Sequence, residues 1–396
     1  MKKIFLIGCI LMIVILAACE PLQTPTEMIS DATAGPIYVP ATDLPAEVHI
    51  DYAQNFTLEY QDGYKILTVT QPWPGATQSY TYFLVPEGVQ PPANPGSAQV
   101  ISTPIDSIVT MSTTYFTFLE DIGQLDTIKA VDDATYVYNE TIRSWADSGQ
   151  IKVVGGGSSG NEVDLEALLE LQPDLIMTSA SGIADMDVHP RLLEAGLPVV
   201  INADYLETTP LGRAEWGKFI AAFYNEEARA SQIFDEMAAR YQALKTLTEG
   251  VQPKVTAFVN SDYQGTWYMP GKESYPAILL QDAGADYLWQ DLEGSSALPL
   301  STEVVFERAR NADFWLNVGF ATDLASLQAM DERYADFKAF QNGQVYNFNA
   351  RASENGGLDY YESGVARPDV VLADLIEIFY PELQPDHALY YYQQLR

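Results

Sequence analysis

From Ala98 to the C-terminal Arg396, short apolar runs alternate with stretches whose apolar positions recur at three- and four-residue steps. Val100–Thr103, Ile108–Thr110, Ile128–Val131, Ile151–Val154, Leu175–Met177 and Pro198–Ile201 read as short strands, their continuous apolar character suiting parallel strands buried on both faces. Phe116–Leu125 and Leu165–Leu171 read as intervening helices. From Arg213 to Thr248 the pattern is helical, through Trp216, Phe219, Ile220 and Phe223, then Phe234, Met237, Tyr241, Leu244 and Leu247. Asn225 breaks this run, and its second part, about 22 residues, would reach roughly 33 Å. Gly250 and Pro253 end it. A second strand–helix series follows: Val255–Asn260, Ala277–Ala283, Glu303–Ala309, Phe314–Val318, Val345–Phe348 and a last helix, Pro368–Phe379. The expected fold is α/β: two Rossmann-like lobes joined by one long α-helix, with a ligand cleft between them. Upstream, residues 48–86 alternate apolar and polar positions around the turn signal Asp62-Gly63, which predicts a small antiparallel β element. A Pro-rich break, Gln90–Gly96, follows it.

The start of the chain sets the compartment. Lys2 and Lys3 precede an apolar run, Ile4–Ile15, shorter than the roughly 20 residues that a membrane span needs. It ends in Leu16-Ala17-Ala18-Cys19, which resembles the lipobox of bacterial lipoproteins and so implies a secretory signal cleaved before a lipidated Cys19. The expected division is a signal peptide over 1–18, a lipidated flexible tether rich in Pro, Thr and Ala over 19–46, a small β extension over 47–97, a first α/β lobe over 98–224, a connecting helix over 225–250 and a second α/β lobe over 251–396. The expected location is outside the cytoplasm, held to the membrane through the lipid on Cys19.

Composition excludes several chemistries. The only cysteines are Cys9 and Cys19, so a mature chain carries neither a catalytic thiolate nor a Cys-ligated zinc. The three histidines, His49, His189 and His387, lie far apart and read as surface or capping residues rather than metal ligands. A formal net charge of −33, made more negative when Lys2 and Lys3 leave with the signal, repels nucleic acid.

The two lobes repeat one local pattern. Asp164-Leu165-Glu166 opens a helix that Pro173-Asp174 follows; Ser301-Thr302-Glu303 opens another, with Arg310-Asn311 at the same offset. Asp164 and Ser301 suit helix N-caps. Glu166 and Glu303 fall in first turns, where the helix dipole favours a carboxylate by about 0.3–1 kcal/mol. Over residues 98–396 the chain resembles the class III substrate-binding proteins of ABC importers, the siderophore, haem and cobalamin binders. The pieces that carry this are VVGGGSSGNEVDLEALLELQPDLIM, WGKFIAAFYNEEARASQIFDEMAARYQAL, GKESYPAILLQDAGADYLW, LPLSTEVVFERARNADFWLN and NGQVYNF, in this order behind a lipobox. Arg310-Asn311 departs from the family's usual Pro-Asp, and residues 48–90 are an addition to its core. The resemblance implies a monomeric carrier without enzymatic activity or intrinsic cofactor. It would capture an iron chelate or corrinoid and dock Glu166 and Glu303 on the arginine pockets of a permease dimer served by ATPase subunits.

The residues give their own view of the ligand site. Gly155-Gly156-Gly157-Ser158-Ser159-Gly160 satisfies a dinucleotide-type glycine spacing, but Glu162, Asp164 and Glu166 crowd the following helix start and would repel a pyrophosphate. In open α/β lobes ligands meet the carboxyl ends of strands. The candidate ligand contacts are therefore Ser112, Thr113, Thr114, Tyr115, Tyr136, Ser179 and Ser181 from the first lobe, and Tyr263, Trp267, Tyr268, Asn349 and Arg351 from the second. Hydroxyls and amides would bond a polar rim, aromatic faces a conjugated chelator, and Arg351 an acidic group. Asp359-Tyr360-Tyr361-Glu362 reads as a solvated acidic loop in preference to a lid. Within this class a ferric siderophore, cobalamin and haem remain open. A secreted hydrolase is the alternative class, although no nucleophile elbow is present.

Overall fold

The computed structural model describes residues 47–61, 63–157 and 162–396. The signal and the whole tether with Cys19, and Ser158, Ser159 and Gly160 of the glycine-rich turn, lie outside the described residues. Strands β1 (Phe56–Gln61), β2 (Tyr64–Val69), β3 (Tyr80–Pro86) and β4 (Gln99–Thr103) form a sheet in that order. The first three are antiparallel, β1 and β2 meeting at Gln61 and Tyr64 in the expected hairpin. Gln99–Thr103, read above as the first strand of the lobe, instead pairs parallel with β3. Its alternating burial, with Ile101 and Thr103 inward and Val100 out, suits a half-exposed sheet rather than a doubly covered one.

The first lobe holds β5 (Ile108–Thr110), β6 (Ile128–Val131), β7 (Lys152–Val153), β8 (Leu175–Thr178) and β9 (Val199–Ile201), all parallel in the order β7-β6-β5-β8-β9. The second lobe holds β10 (Thr256–Val259), β11 (Thr266–Pro270), β12 (Asp286–Tyr287), β13 (Ala297–Ser301), β14 (Phe314–Leu316), β15 (Val345–Asn347) and β16 (Gln393–Gln394). Its main sheet runs β12-β10-β14-β15-β16, antiparallel only at β16, while β11 and β13 pair separately as a ribbon.

Between the lobes runs the helix Glu227–Thr248, preceded by Asn225 in the left-handed conformation. Its Ala230 belongs to the first lobe's core, and its Phe234, Met237, Tyr241 and Leu244 to the second's. A second bridge was not expected. The helix Asp359–Ala366 lies between β15 and β16 of the second lobe in sequence, yet its Val365 and Ala366 sit in the first lobe's core. Asp359 and Glu362 are buried there, which corrects the reading of this segment as a solvated loop. Asp359 bonds Arg351 and the Ser363 hydroxyl, while Glu362 accepts the amides of Tyr138 and Asn139 from the first lobe. Beside it, buried Arg367 makes a two-pronged ion pair with buried Asp121 of the first lobe.

The small sheet is welded to the first lobe. The Glu215 carboxylate accepts the amides of Asp51, Tyr52 and Ala53, and that of Glu207 accepts Gln54, Asn55 and the Trp216 indole. Tyr82 Oη accepts the Ile201 amide, and the Gln99 side chain pairs with both backbone groups of Val199. Edge strand β9 is covered in this way, as exposed edges usually are.

Candidate functional site

Strand order reverses between β5 and β8 in the first lobe and between β10 and β14 in the second, so each sheet opens a crevice at its carboxyl edge. A cavity of ≈ 460 Å³ lies between the lobes, lined from the first by Tyr205 and Arg213 and from the second by Asn260, Tyr275, Asn317 and Tyr360, among others. Asn260 and Asn317 directly follow β10 and β14 with φ of 68° and 60°, a left-handed conformation that asparagine tolerates better than most residues. Both turn the chain at the crevice. Arg213 binds Asp204 at 2.9 Å and stacks on the Tyr275 ring, so its charge is already matched within the site. Burial pushes the phenols of Tyr205 and Tyr275 up to about 12, which keeps both protonated at neutral pH. The Tyr205 hydroxyl donates to the Ala180 carbonyl. A smaller hollow of ≈ 250 Å³ adjoins this wall, lined by Ser179, Ser181 and Tyr205 among others.

The sequence candidates separate into groups. Ser179 and Ser181 line the first-lobe hollow, with Ser181 fixed by Asp187. Ser112, Thr113 and Thr114 leave β5 half-buried in a short turn that Ser112 caps. Tyr115 is buried beneath that turn, which removes it from any ligand surface. Trp267 is fully buried: its indole donates to the Val259 carbonyl, and it packs with Phe258, Trp315 and Tyr334 in the second lobe's core. Its neighbour Tyr268 points the opposite way, as strand alternation requires, and is exposed like Tyr263. Asn349 is spent on the Ala321 carbonyl and on Gln393. Arg351 is bound to Asp359 and lies over the Tyr390 and Tyr138 rings, in a separate hollow of ≈ 450 Å³. Tyr136 is exposed, its carbonyl close against Gly357 of the second lobe. His189 is buried rather than a surface residue, and burial lowers its pKa. Among the described residues no group of acidic, histidine or cysteine side chains could hold a metal. The sequence reading passed over Tyr205, Arg213, Tyr275 and Asn317, and it took Tyr360 for part of a solvated loop in preference to a lid. Tyr205 follows β9 and Asn317 follows β14, so the carboxyl-end rule applied to every strand would have reached both.

Glu166 and Glu303 are both exposed in the first turns of their helices, capped by Asp164 and Ser301 as expected. Asp164 N–H donates to the Val154 carbonyl just past β7, and Thr302 Oγ1 donates to Asp262 just past β10. Both glutamates therefore stand at the carboxyl edge of their own lobe.

One lobe–lobe contact titrates. Burial pushes the Glu362 carboxyl up to about 7, against the pull of the Tyr138 and Asn139 amides. An unfolded glutamate titrates near 4.5, so the folded chain keeps a proton that the unfolded chain has released. This contribution to stability is fully present below pH 4.5 and is lost as pH rises through 7. The unfolding temperature is expected to fall as pH rises from 4.5 to about 7, and to fall less in Glu362→Gln; equal slopes in the two proteins would remove Glu362 as the cause.

Comparison with known proteins agrees with this geometry. Residues 108–352, more than half of the chain, match the family model described as periplasmic binding protein. An uncharacterised lipoprotein of Methanocaldococcus jannaschii is 26% identical over 96% of this chain and 94% of its own. A possible iron-binding, periplasmic solute-binding protein of Staphylococcus epidermidis superposes with a TM-score of 0.52 at 17% identity, covering 70% of this chain and 100% of its own. A periplasmic haem-binding protein of Pseudomonas aeruginosa gives 0.52 at 18% identity, covering 70% and 93%. With two doubly wound lobes on one long helix and this match over its core, the chain belongs to the periplasmic binding protein family.

Proposed function

We propose that the protein is an extracytoplasmic lipoprotein, anchored through Cys19, that captures a ferric siderophore in the inter-lobe cleft and delivers it to an ABC permease through Glu166 and Glu303. The observation that carries this reading is the ≈ 460 Å³ cavity, which falls in the range of small-molecule sites and presents tyrosine faces from both lobes. The charge of the site refines the ligand. Arg213 is matched by Asp204, and Glu207 is spent on backbone amides and Trp216. Among the described residues no unmatched cation lines the cavity, and the chain carries −33 overall. A neutral ferric trihydroxamate suits this better than a trianionic tris-catecholate, which the protein's field would repel.

The test is tryptophan-fluorescence titration with a ferric trihydroxamate, a ferric tris-catecholate, cobalamin and haem. The trihydroxamate is expected to saturate the protein at least about tenfold more tightly than the tris-catecholate, a difference of about 1.4 kcal/mol. Saturation by none of the four would sink the transport reading; tighter binding of cobalamin or haem would keep the mechanism and replace the ligand.

A further inference from the structure

The small N-terminal sheet has no counterpart in the family match, which begins at residue 108. The two solved structures compared above are covered over 100% and 93% of their own length but 70% of this chain. Such an addition could be a spacer. Its placement argues otherwise. The connection between β2 and β3 turns at Trp73-Pro74-Gly75-Ala76, where the Ala76 amide donates to the Trp73 carbonyl and Gly75 has φ of 75°. Proline second and a positive-φ glycine third make a type II turn, a stiff form with its tip at Pro74. Pro74 is exposed, and it lines the same inter-lobe cavity as Tyr205, Arg213 and Tyr275.

The turn is held there. Trp73 packs against His189 and Tyr80, with ring centroids 5.7 and 5.9 Å away. Its indole fits against Gly182: a Cβ at that position would meet Trp73 Cδ1 at 2.5 Å, so only glycine admits the contact. Gly182 belongs to the loop that leaves β8, the first lobe's own crevice strand. The sheet behind the turn is fixed by Tyr82 on Ile201, by Gln99 on Val199, and by the two carboxylates that gather the 51–55 amides. These contacts make it a fixed wall rather than a moving flap.

We infer that the turn at Trp73–Ala76 is a third wall of the ligand site, so that this chain reads its ligand with the N-terminal sheet as well as with its two lobes. The inference rests on the transport reading above. A group at Pro74 meets the part of the ligand that projects past Tyr205, whereas the far end of the same sheet, at Glu87, meets nothing in the cleft.

The experiment compares the full chain with Pro74→Trp and the control Glu87→Trp, titrated with the ferric trihydroxamate and, in parallel, with cobalamin and haem. Both substitutions are at exposed positions, so unfolding temperatures should stay close to wild type. Pro74→Trp is expected to weaken binding about tenfold or more, and Glu87→Trp to leave it within about twofold. A folded Pro74→Trp that binds within about twofold of wild type overturns the inference. Should that variant fold poorly, hydrogen exchange on the unsubstituted protein decides: ligand should slow the amides of 70–79, and unaltered exchange there overturns the inference equally. Failure of the transport reading is told apart, because it shows as the absence of saturable binding by the unsubstituted protein.

Discussion

Reversing both Glu166 and Glu303 to lysine is expected to abolish uptake of the bound chelate while leaving its affinity for the cleft unchanged. Neither side chain lines the inter-lobe cavity. Each is exposed at a capped helix start, one per lobe, a spacing that suits a two-fold symmetric basic partner through charge-assisted pairing. Glu166 has no ion-pair partner among the described residues. Glu303 lies 3.5 Å from Arg333, which is held more closely by Asp331 at 2.6 Å and rests over Phe306. An exposed pair of this kind contributes little, so a permease guanidinium can take the Glu303 carboxylate without a large penalty. Loss of a buried interfacial charge partner costs about 2–5 kcal/mol per contact, and reversal adds repulsion. Two such sites together would reduce the productive complex by several orders of magnitude. Uptake by cells carrying the variant, set against titration of the purified protein, separates docking from capture. Uptake at the wild-type rate would end the docking proposal.

The helix starts behind this prediction were legible because their causes are local. Asp164 and Ser301 cap helices through amides three residues away, and the alternation of apolar runs with helical periods is decided within each segment. The two-lobe fold followed from that rhythm. The ligand wall was less legible, because a residue type does not say which side of a strand it occupies. Trp267 and Tyr268 are equally aromatic, yet alternation buries the first entirely and leaves the second 47% exposed. The contacts that join distant parts were not legible at all. Glu207 and Glu215 are two of many carboxylates in an acidic chain, and nothing near them in sequence marks the amides of 51–55 as their partners. Asp359-Tyr360-Tyr361-Glu362 likewise reads as solvated until Arg351, Ser363 and the first-lobe amides are brought to it.

Arg367→Met is expected to produce the largest loss of stability. Arg367 and Asp121 stand 246 residues apart and are each buried to within 8% exposure, joined through both terminal guanidinium nitrogens. Removing the cation alone strands a buried carboxylate at the lobe interface, which costs about 3–5 kcal/mol. The same pair is a weak source of net stability when intact, since desolvation offsets most of its attraction. Denaturant midpoints should therefore fall sharply in Arg367→Met and recover largely in the double variant Asp121→Leu/Arg367→Met, whose apolar side chains fill similar space. A single variant as stable as wild type would show that Asp121 finds another partner or water. The pair also bears on motion. One stiff helix between lobes already limits closure, and this clamp, with Glu362 on the Tyr138 and Asn139 amides, ties the lobes at a second point. If the clamp restrains the lobes, the double variant should retain its fold yet show a wider spread of lobe separations by small-angle scattering than wild type. An identical scattering profile would leave the long helix as sufficient restraint on its own.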